Sequence, residues 1–326
     1  MTDFDYSNTG IYTKQNSERS KNFNERLNAL YTVFFQHMKK RESEIREREK
    51  KDTSFLCTDY NGIQLLTCFD SYLNSENKIM CYGKEAHHGE GKIFDFPAYY
   101  QDDYYYKYDY AIAHRYDKYS PISASDCPQT EYLKTRKLIS GFCATDLPEE
   151  REAEILSVLN NNLNKTSLKG KYTPCYPSVV NRKTKSYLRC KTRDDIVYSD
   201  FEFEGVSRNI FLHELNILHP THLIFLSGTG YDNHIIRDFG EEFYTEKIAP
   251  LIRSLTPDEP TTINRPCELS PEEIKDWFRI NDYDSSIKIL YAYHPSAHLS
   301  SSREKYNKAL CDFSGHTYAK NSGMTK

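Results

Sequence analysis

Apolar residues near the start of the chain recur at helical spacing. Phe23, Leu27, Leu30, Tyr31, Phe34, Phe35 and Met38 fall three and four apart, which predicts one amphipathic helix within residues 17–51. Its far end, from Lys39 to Lys51, is almost wholly charged and is expected to project into solvent. Residues 1–16 are polar and predict a flexible N-terminus. Phe55 to Leu73 reads as mixed strand and helix, with Asn61-Gly62 as a turn.

Beyond this point short apolar runs take over. Ile79 to Tyr82 predicts a core strand that ends in Gly83-Lys84-Glu85-Ala86-His87-His88-Gly89. Tyr99 to Tyr119 is rich in tyrosine and has no clean period. Glu149 to Leu156 starts as a helix, and Ile155 to Leu159 reads as a second strand running into Asn160-Asn161-Asn162-Leu163-Asn164-Lys165. Phe211 to Leu218 predicts a helix stopped by Pro220. His222 to Leu226 predicts a third strand, followed by Ser227-Gly228-Thr229-Gly230 and a helix from Tyr231 to Phe239. Pro260 to Cys267 reads as loop. Ser270-Pro271-Glu272-Glu273 combines a serine cap, a proline at the first position and a glutamate at the third, and so predicts a helix start. Ile287 to Tyr293 predicts a fourth strand entering His294-Pro295-Ser296, and a short helix near Ser302 to Leu310 closes the fold.

Four short strands alternating with helices predict an α/β protein, a three-layer α/β/α domain around a short, mostly parallel four-stranded central sheet. The expected organisation is a flexible N-terminus (1–16), a helical extension packed on the core (17–75), the α/β/α domain (76–312) and a C-terminal tail (313–326). A basic insertion is expected near 164–193. No internal repeat is seen.

Composition changes this picture in three places. Charged residues make up 28% of the 326 and hydrophobic ones 38%, the balance of a soluble globular protein rather than a disordered or membrane chain. No stretch is apolar enough to span a bilayer and no signal peptide is recognised, so a cytoplasmic monomer is expected. Nine cysteines without a C-x-x-C pair argue against a disulfide framework and against a locally built zinc or iron–sulfur site. Tyrosine is abundant, 27 copies against one tryptophan. Its flat face and polar tip suit stacking on bases or sugars, although the amino-acid bias of a low-GC genome produces the same count.

Net charge is −4, so the whole molecule is no general polyanion binder. The distribution is uneven, however. Lys165, Lys169, Lys171, Arg182, Lys183, Lys185, Arg189, Lys191 and Arg193 form a run without one acidic residue. Such a run can line a phosphate path or can be a solvated loop.

The candidate chemistry sits at strand ends, where open α/β sheets bind ligands. Glu85 follows the first strand and His294 the fourth. Asn162 follows the second and offers both a carbonyl and an amide; the run Asn160 to Asn162 also admits Asn161. The order of these motifs resembles the uracil-DNA glycosylase superfamily, in an atypical branch. Gly83-Lys84-Glu85-Ala86 is similar to its first motif, Asn162-Leu163-Asn164-Lys165 to its base-reading segment, Leu218 to Gly228 to its helix and third strand, and His294-Pro295-Ser296 to its terminal motif. Lys84 stands where the family commonly has glutamine or asparagine, and His87-His88 where it has small or aromatic residues.

The resemblance implies a monofunctional DNA glycosylase that flips a pyrimidine nucleotide and hydrolyses its N-glycosidic bond without a cofactor. Glu85 would hold the water and His294 would hydrogen-bond the departing base. Asn162 would read its edge, and Phe96, Tyr99 or Tyr100 would stack on it. Lys84, Lys165, Lys183, Lys185 and Ser296 would contact the DNA backbone, and Leu299 would wedge into the duplex. The partner would be DNA containing uracil or a modified cytosine such as glucosylated hydroxymethylcytosine, in repair or antiviral defence. Three other readings compete. Lys84 is placed to act as a Schiff-base nucleophile. His213, His219, His222 and His234 could serve a metal-dependent hydrolase, although Ile217 replaces the second histidine of a zinc helix. A DNA-binding module with a degenerate pocket is the third.

Overall fold

A computed structural model describes residues 17–51, 60–61, 66–85, 135, 138–140, 157–164, 167–168, 198–265, 267–295, 297, 299 and 301–318. Helix α1 (Glu18–Lys51) is the long element expected at the start. Leu27, Leu30, Tyr31, Phe34, Phe35 and Met38, the residues that set its period, are all buried in the main core. Its beginning is pinned. The Ser17 amide and hydroxyl both donate to the Asp70 carboxylate, at 2.6 and 2.8 Å. Two turns on, the Asn24 side chain exchanges two hydrogen bonds of 2.8 Å with the backbone of Cys68.

Strand β1 (Tyr60–Asn61) pairs with β4 (Ser167–Leu168) as a small antiparallel ladder. The short helix α2 (Asp70–Asn74) leads to β2 (Ile79–Glu85), and β3 (Val158–Asn164) lies beside it. The asparagine run is therefore inside a strand rather than past its end. A hairpin, β5 (Phe201–Phe203) and β6 (Val206–Arg208), precedes helix α3 (Ile210–Leu218). Its turn puts Glu204 and Gly205 at positive φ, 51° and 76°. His219 closes α3 in the left-handed region and β7 (His222–Phe225) follows.

Helix α4 (Asp232–Phe239) is followed by α5 (Glu241–Phe243), a π-helical turn Tyr244–Ile248 and α6 (Ala249–Ser254). This stretch past residue 239 was not expected from the sequence. Strand β8 (Cys267–Leu269), helix α7 (Pro271–Phe278), strand β9 (Ile287–Tyr291) and helix α8 (Arg303–Phe313) complete the chain. The start of α7 is a full capping box, with Ser270 and Glu273 each bonding the other's backbone amide.

The main sheet is α/β and mixed, in the order β3-β2-β7-β9-β8. The expected four strands are present and parallel to one another. A fifth, β8, joins antiparallel to β9, so the four-strand expectation is corrected. It was missed because Cys267-Glu268-Leu269 is too short for any period to show, and the preceding prolines mark loop.

Alternation divides the sheet's side chains between two cores. Met80, Tyr82, Leu159, Leu223, Phe225, Ile289 and Tyr291 join α1, α3, α4, α6 and α7 in the larger one. Ile79, Cys81, Val158, Ile224, Leu290 and Ala292 join Tyr306 and Leu310 of α8 in the smaller. No helix among the described residues is long and apolar enough to cross a membrane.

Two buried histidines couple this packing to pH. Burial, helped by Lys288, lowers the His222 imidazole from its ordinary 6.5 to about 4. Burial, helped by Arg237, lowers His234 to about 3. Both rings are more easily protonated in the unfolded chain than in the native one. Stability is therefore expected to be intact above about pH 6.5 and to fall as pH drops toward 4. Urea unfolding at pH 7 and pH 5 measures this as a lower midpoint at pH 5. His222→Gln, which cannot titrate, is expected to narrow that difference.

Candidate functional site at the carboxyl edge of the sheet

The parallel strands all deliver their carboxyl ends to one edge. From β2 the chain passes to β3 on one side, then returns to β7 on the other. Open α/β sheets bind ligands in the crevice outside such a reversal, which here lies between β2 and β7. Tyr82, Phe225 and Tyr291 occupy one row across β2, β7 and β9. Glu85, Gly228 and His294 each lie three residues beyond that row in sequence. On the other side of β2, Gly83 is paired with Asn162 and Glu85 with Asn164.

Glu85 ends β2, Asn162 lies within β3 and His294 falls three residues after the end of β9, so the three backbone positions share the carboxyl edge of the sheet. Two strand spacings separate β2 from β9, roughly 10 Å of backbone. For Lys84, Glu85 and Asn162 the described structure is that of the backbone.

The turn bearing His294 is held from several directions. Gly228, at φ +63°, donates its amide to the Ala292 carbonyl at 3.0 Å. The left-handed backbone at this position favours glycine, while a Cβ there would meet the His294 amide nitrogen at an ordinary contact distance of 3.4 Å. Below it the Tyr291 hydroxyl donates to the Gly228 carbonyl and meets Ser227 Oγ, both at 2.8 Å. Burial raises the Tyr291 phenol above its ordinary value and keeps it a neutral donor. The Tyr293 amide donates to the Pro260 carbonyl, and the Ala297 amide to the His294 carbonyl at 2.8 Å. His294 itself is partly exposed.

The neighbouring asparagines have separate fates. Asn161 is fully buried, and its Nδ2 donates to Glu214 Oε2 at 2.8 Å. Its side chain is engaged in the larger core. Asn162 is the next position along β3, paired through its backbone with Gly83. The end of β3 is further fixed by Arg237 of α4, which donates to the Leu163 carbonyl, pairs with the buried Asp238 and lies over the Tyr198 ring. Sequence reasoning missed Arg237 because nothing local marks an arginine that acts across 74 positions.

Leu299 is a correction. It is 4% exposed and packs in the smaller core with Tyr306 and Leu310. A wedge must stand at the surface, and this leucine instead anchors the segment after the His-Pro-Ser turn. Phe96, Tyr99, Tyr100, Lys165, Lys183, Lys185 and Ser296 lie outside the described residues, as do all nine residues of the basic run.

The four histidines of the metal reading are dispersed. His213 bonds the Phe201 carbonyl, His219 stacks on Tyr283, His222 bonds Thr221, and His234 lies against Tyr231. Among the described residues no three histidine, cysteine, aspartate or glutamate side chains are grouped to hold a metal ion. Comparison with protein-family models, with curated proteins and with solved structures gave no match.

Proposed function

We propose that the protein is a monofunctional DNA glycosylase acting on a flipped pyrimidine nucleotide. The observation that carries this reading is that Glu85 and His294 each lie three residues past one row of the sheet, at its carboxyl edge, with Glu85 beside the point where strand order reverses. Within it, β3-β2-β7-β9 form the three-layer α/β/α unit of a glycosylase and β8 is an edge addition. The chain is taken to work as a cytoplasmic monomer.

Breaking the N-glycosidic bond leaves positive charge on the sugar and negative charge on the base. Glu85 stabilises the sugar cation, orients the water whose oxygen bonds to C1′ and takes the proton that this water sheds. The bond's electron pair departs with the base. His294 donates a hydrogen bond to the base oxygen on which that charge collects, as a preorganised dipole does for any oxyanion. Asn162 pairs with the edge of the extruded base. Extrusion costs a few kcal/mol, met by contacts from Lys84, Ser296 and the basic run to phosphates. Uracil and bulky modified cytosines are both candidate bases.

The test is a panel of DNAs carrying uracil, hydroxymethylcytosine or glucosylated hydroxymethylcytosine. Released base is measured by chromatography and abasic sites by alkaline cleavage, with and without chelator. Release that survives chelator is the expected result. Retention on DNA without release would leave a binding module and end the proposal.

A further inference from the structure

The last helix grips the turn that carries His294. Arg303, at the first position of α8, directs its guanidinium back over the turn. Nη1 donates to the Pro295 carbonyl and Nη2 to the Ala297 carbonyl, both at 2.9 Å. One turn further along α8, the fully buried Tyr306 donates its hydroxyl to the Tyr293 carbonyl at 3.0 Å. The guanidinium lies 5.5 Å from the Tyr306 ring centroid. Carbonyls on both sides of His294 are thus held by two side chains of one helix, and that helix is itself seated in the smaller core through Tyr306 and Leu310.

We infer that Arg303 is a positioning residue for His294, with Tyr306 as its support. This rests on the glycosylase reading, in which His294 must meet the base oxygen at hydrogen-bond distance. Within the turn the Ala297 amide donates to the His294 carbonyl. The planar fork of an arginine satisfies two carbonyls in fixed relative positions, which a lysine ammonium cannot do with the same geometry. Both guanidinium nitrogens named here are occupied by the protein's own carbonyls, so the role differs from that of a cation reaching for a DNA phosphate.

Charge and fork geometry separate in Arg303→Lys, which keeps the first and loses the second. Base release under single-turnover conditions is expected to fall about 10- to 100-fold, the scale of a misplaced reacting group. DNA affinity by fluorescence anisotropy is expected to stay within about twofold of the parent, because no phosphate contact is lost. Tyr306→Phe, which removes the hydroxyl and keeps the ring, should reduce release in the same way. In a His294→Ala background, Arg303→Lys should have no further effect, because groups that act as a unit are not additive. Weakened DNA binding, unchanged release, or losses that multiply in the double variant would each overturn the assignment. If the parent releases no base from any DNA of the panel, the glycosylase reading itself fails, and that result is separate from any of these.

Discussion

Glu85→Gln is expected to slow base release about 10²- to 10⁴-fold, with DNA affinity and unfolding midpoint close to those of the parent. The substitution keeps the shape of the side chain and its ability to orient water. It removes the negative charge that the proposed mechanism sets against the developing sugar cation. Position 85 ends β2 in register with Asn164. The loss should therefore fall on the chemical step, and single-turnover release at saturating protein isolates that step. Lys84 supplies the contrast. A lyase would form an imine between the Lys84 amine and C1′ of the sugar, which borohydride reduces to a stable cross-link. Cross-linking by the parent that disappears in Lys84→Met would replace hydrolysis by water with covalent catalysis. Undiminished release from Glu85→Gln without a cross-link would remove the carboxylate from the mechanism.

The sequence showed its long-range order at some positions and hid it at others. Helix α1 was legible because seven apolar residues hold one helical face. The four parallel strands were legible because each is a short apolar run closed by turn residues, and β-branched or aromatic side chains at both parities mark burial on both faces. Their order across the sheet was not legible. It depends on which strand returns to which side, and no local pattern encodes that. The extent of β3 was misjudged because three asparagines in a row look like loop. They become strand only because β2 supplies a ladder along Cys81, Tyr82 and Gly83.

Residues that act at a distance in sequence were the hardest to see. Glu85 and His294 were picked out as candidates because they fall at the ends of short apolar strands. Arg237 and Arg303 were not, since an arginine hydrogen-bonding to carbonyls looks the same in sequence as one in solvent. Leu299 was misread for the related reason that a leucine after a turn looks exposed until its partners Tyr306 and Leu310 are folded against it. Hydrophobic period reports which face of an element is buried. It does not report what the polar residues of that element bond.

Glu214→Ala is expected to cost about 3–5 kcal/mol of stability, from two lost hydrogen bonds and the space left by the carboxylate. Glu214 is fully buried on α3. The Tyr31 hydroxyl donates to its Oε1 at 2.9 Å, and Asn161 Nδ2 to its Oε2 at 2.8 Å. Tyr31 also accepts from the Leu66 amide at 2.8 Å, so one carboxylate joins α1, the segment before α2, and β3. Alanine leaves buried donors facing a void, which costs more than a bond between solvated groups would return. Glu214→Gln isolates the hydrogen bonds from the volume. Its carbonyl oxygen can still accept from Asn161, and the Tyr31 hydroxyl can rotate to accept from the new amide. A loss of about 1 kcal/mol is expected for that variant. Urea unfolding of both variants, with the slope compared as well as the midpoint, separates the two contributions. Equal losses would mean that the ionised carboxylate's own hydrogen bonds, and not the volume it fills, tie α1 to the sheet. The expected result is a larger loss in the alanine variant, which gives up both the space and the Tyr31 and Asn161 hydrogen bonds that glutamine largely keeps.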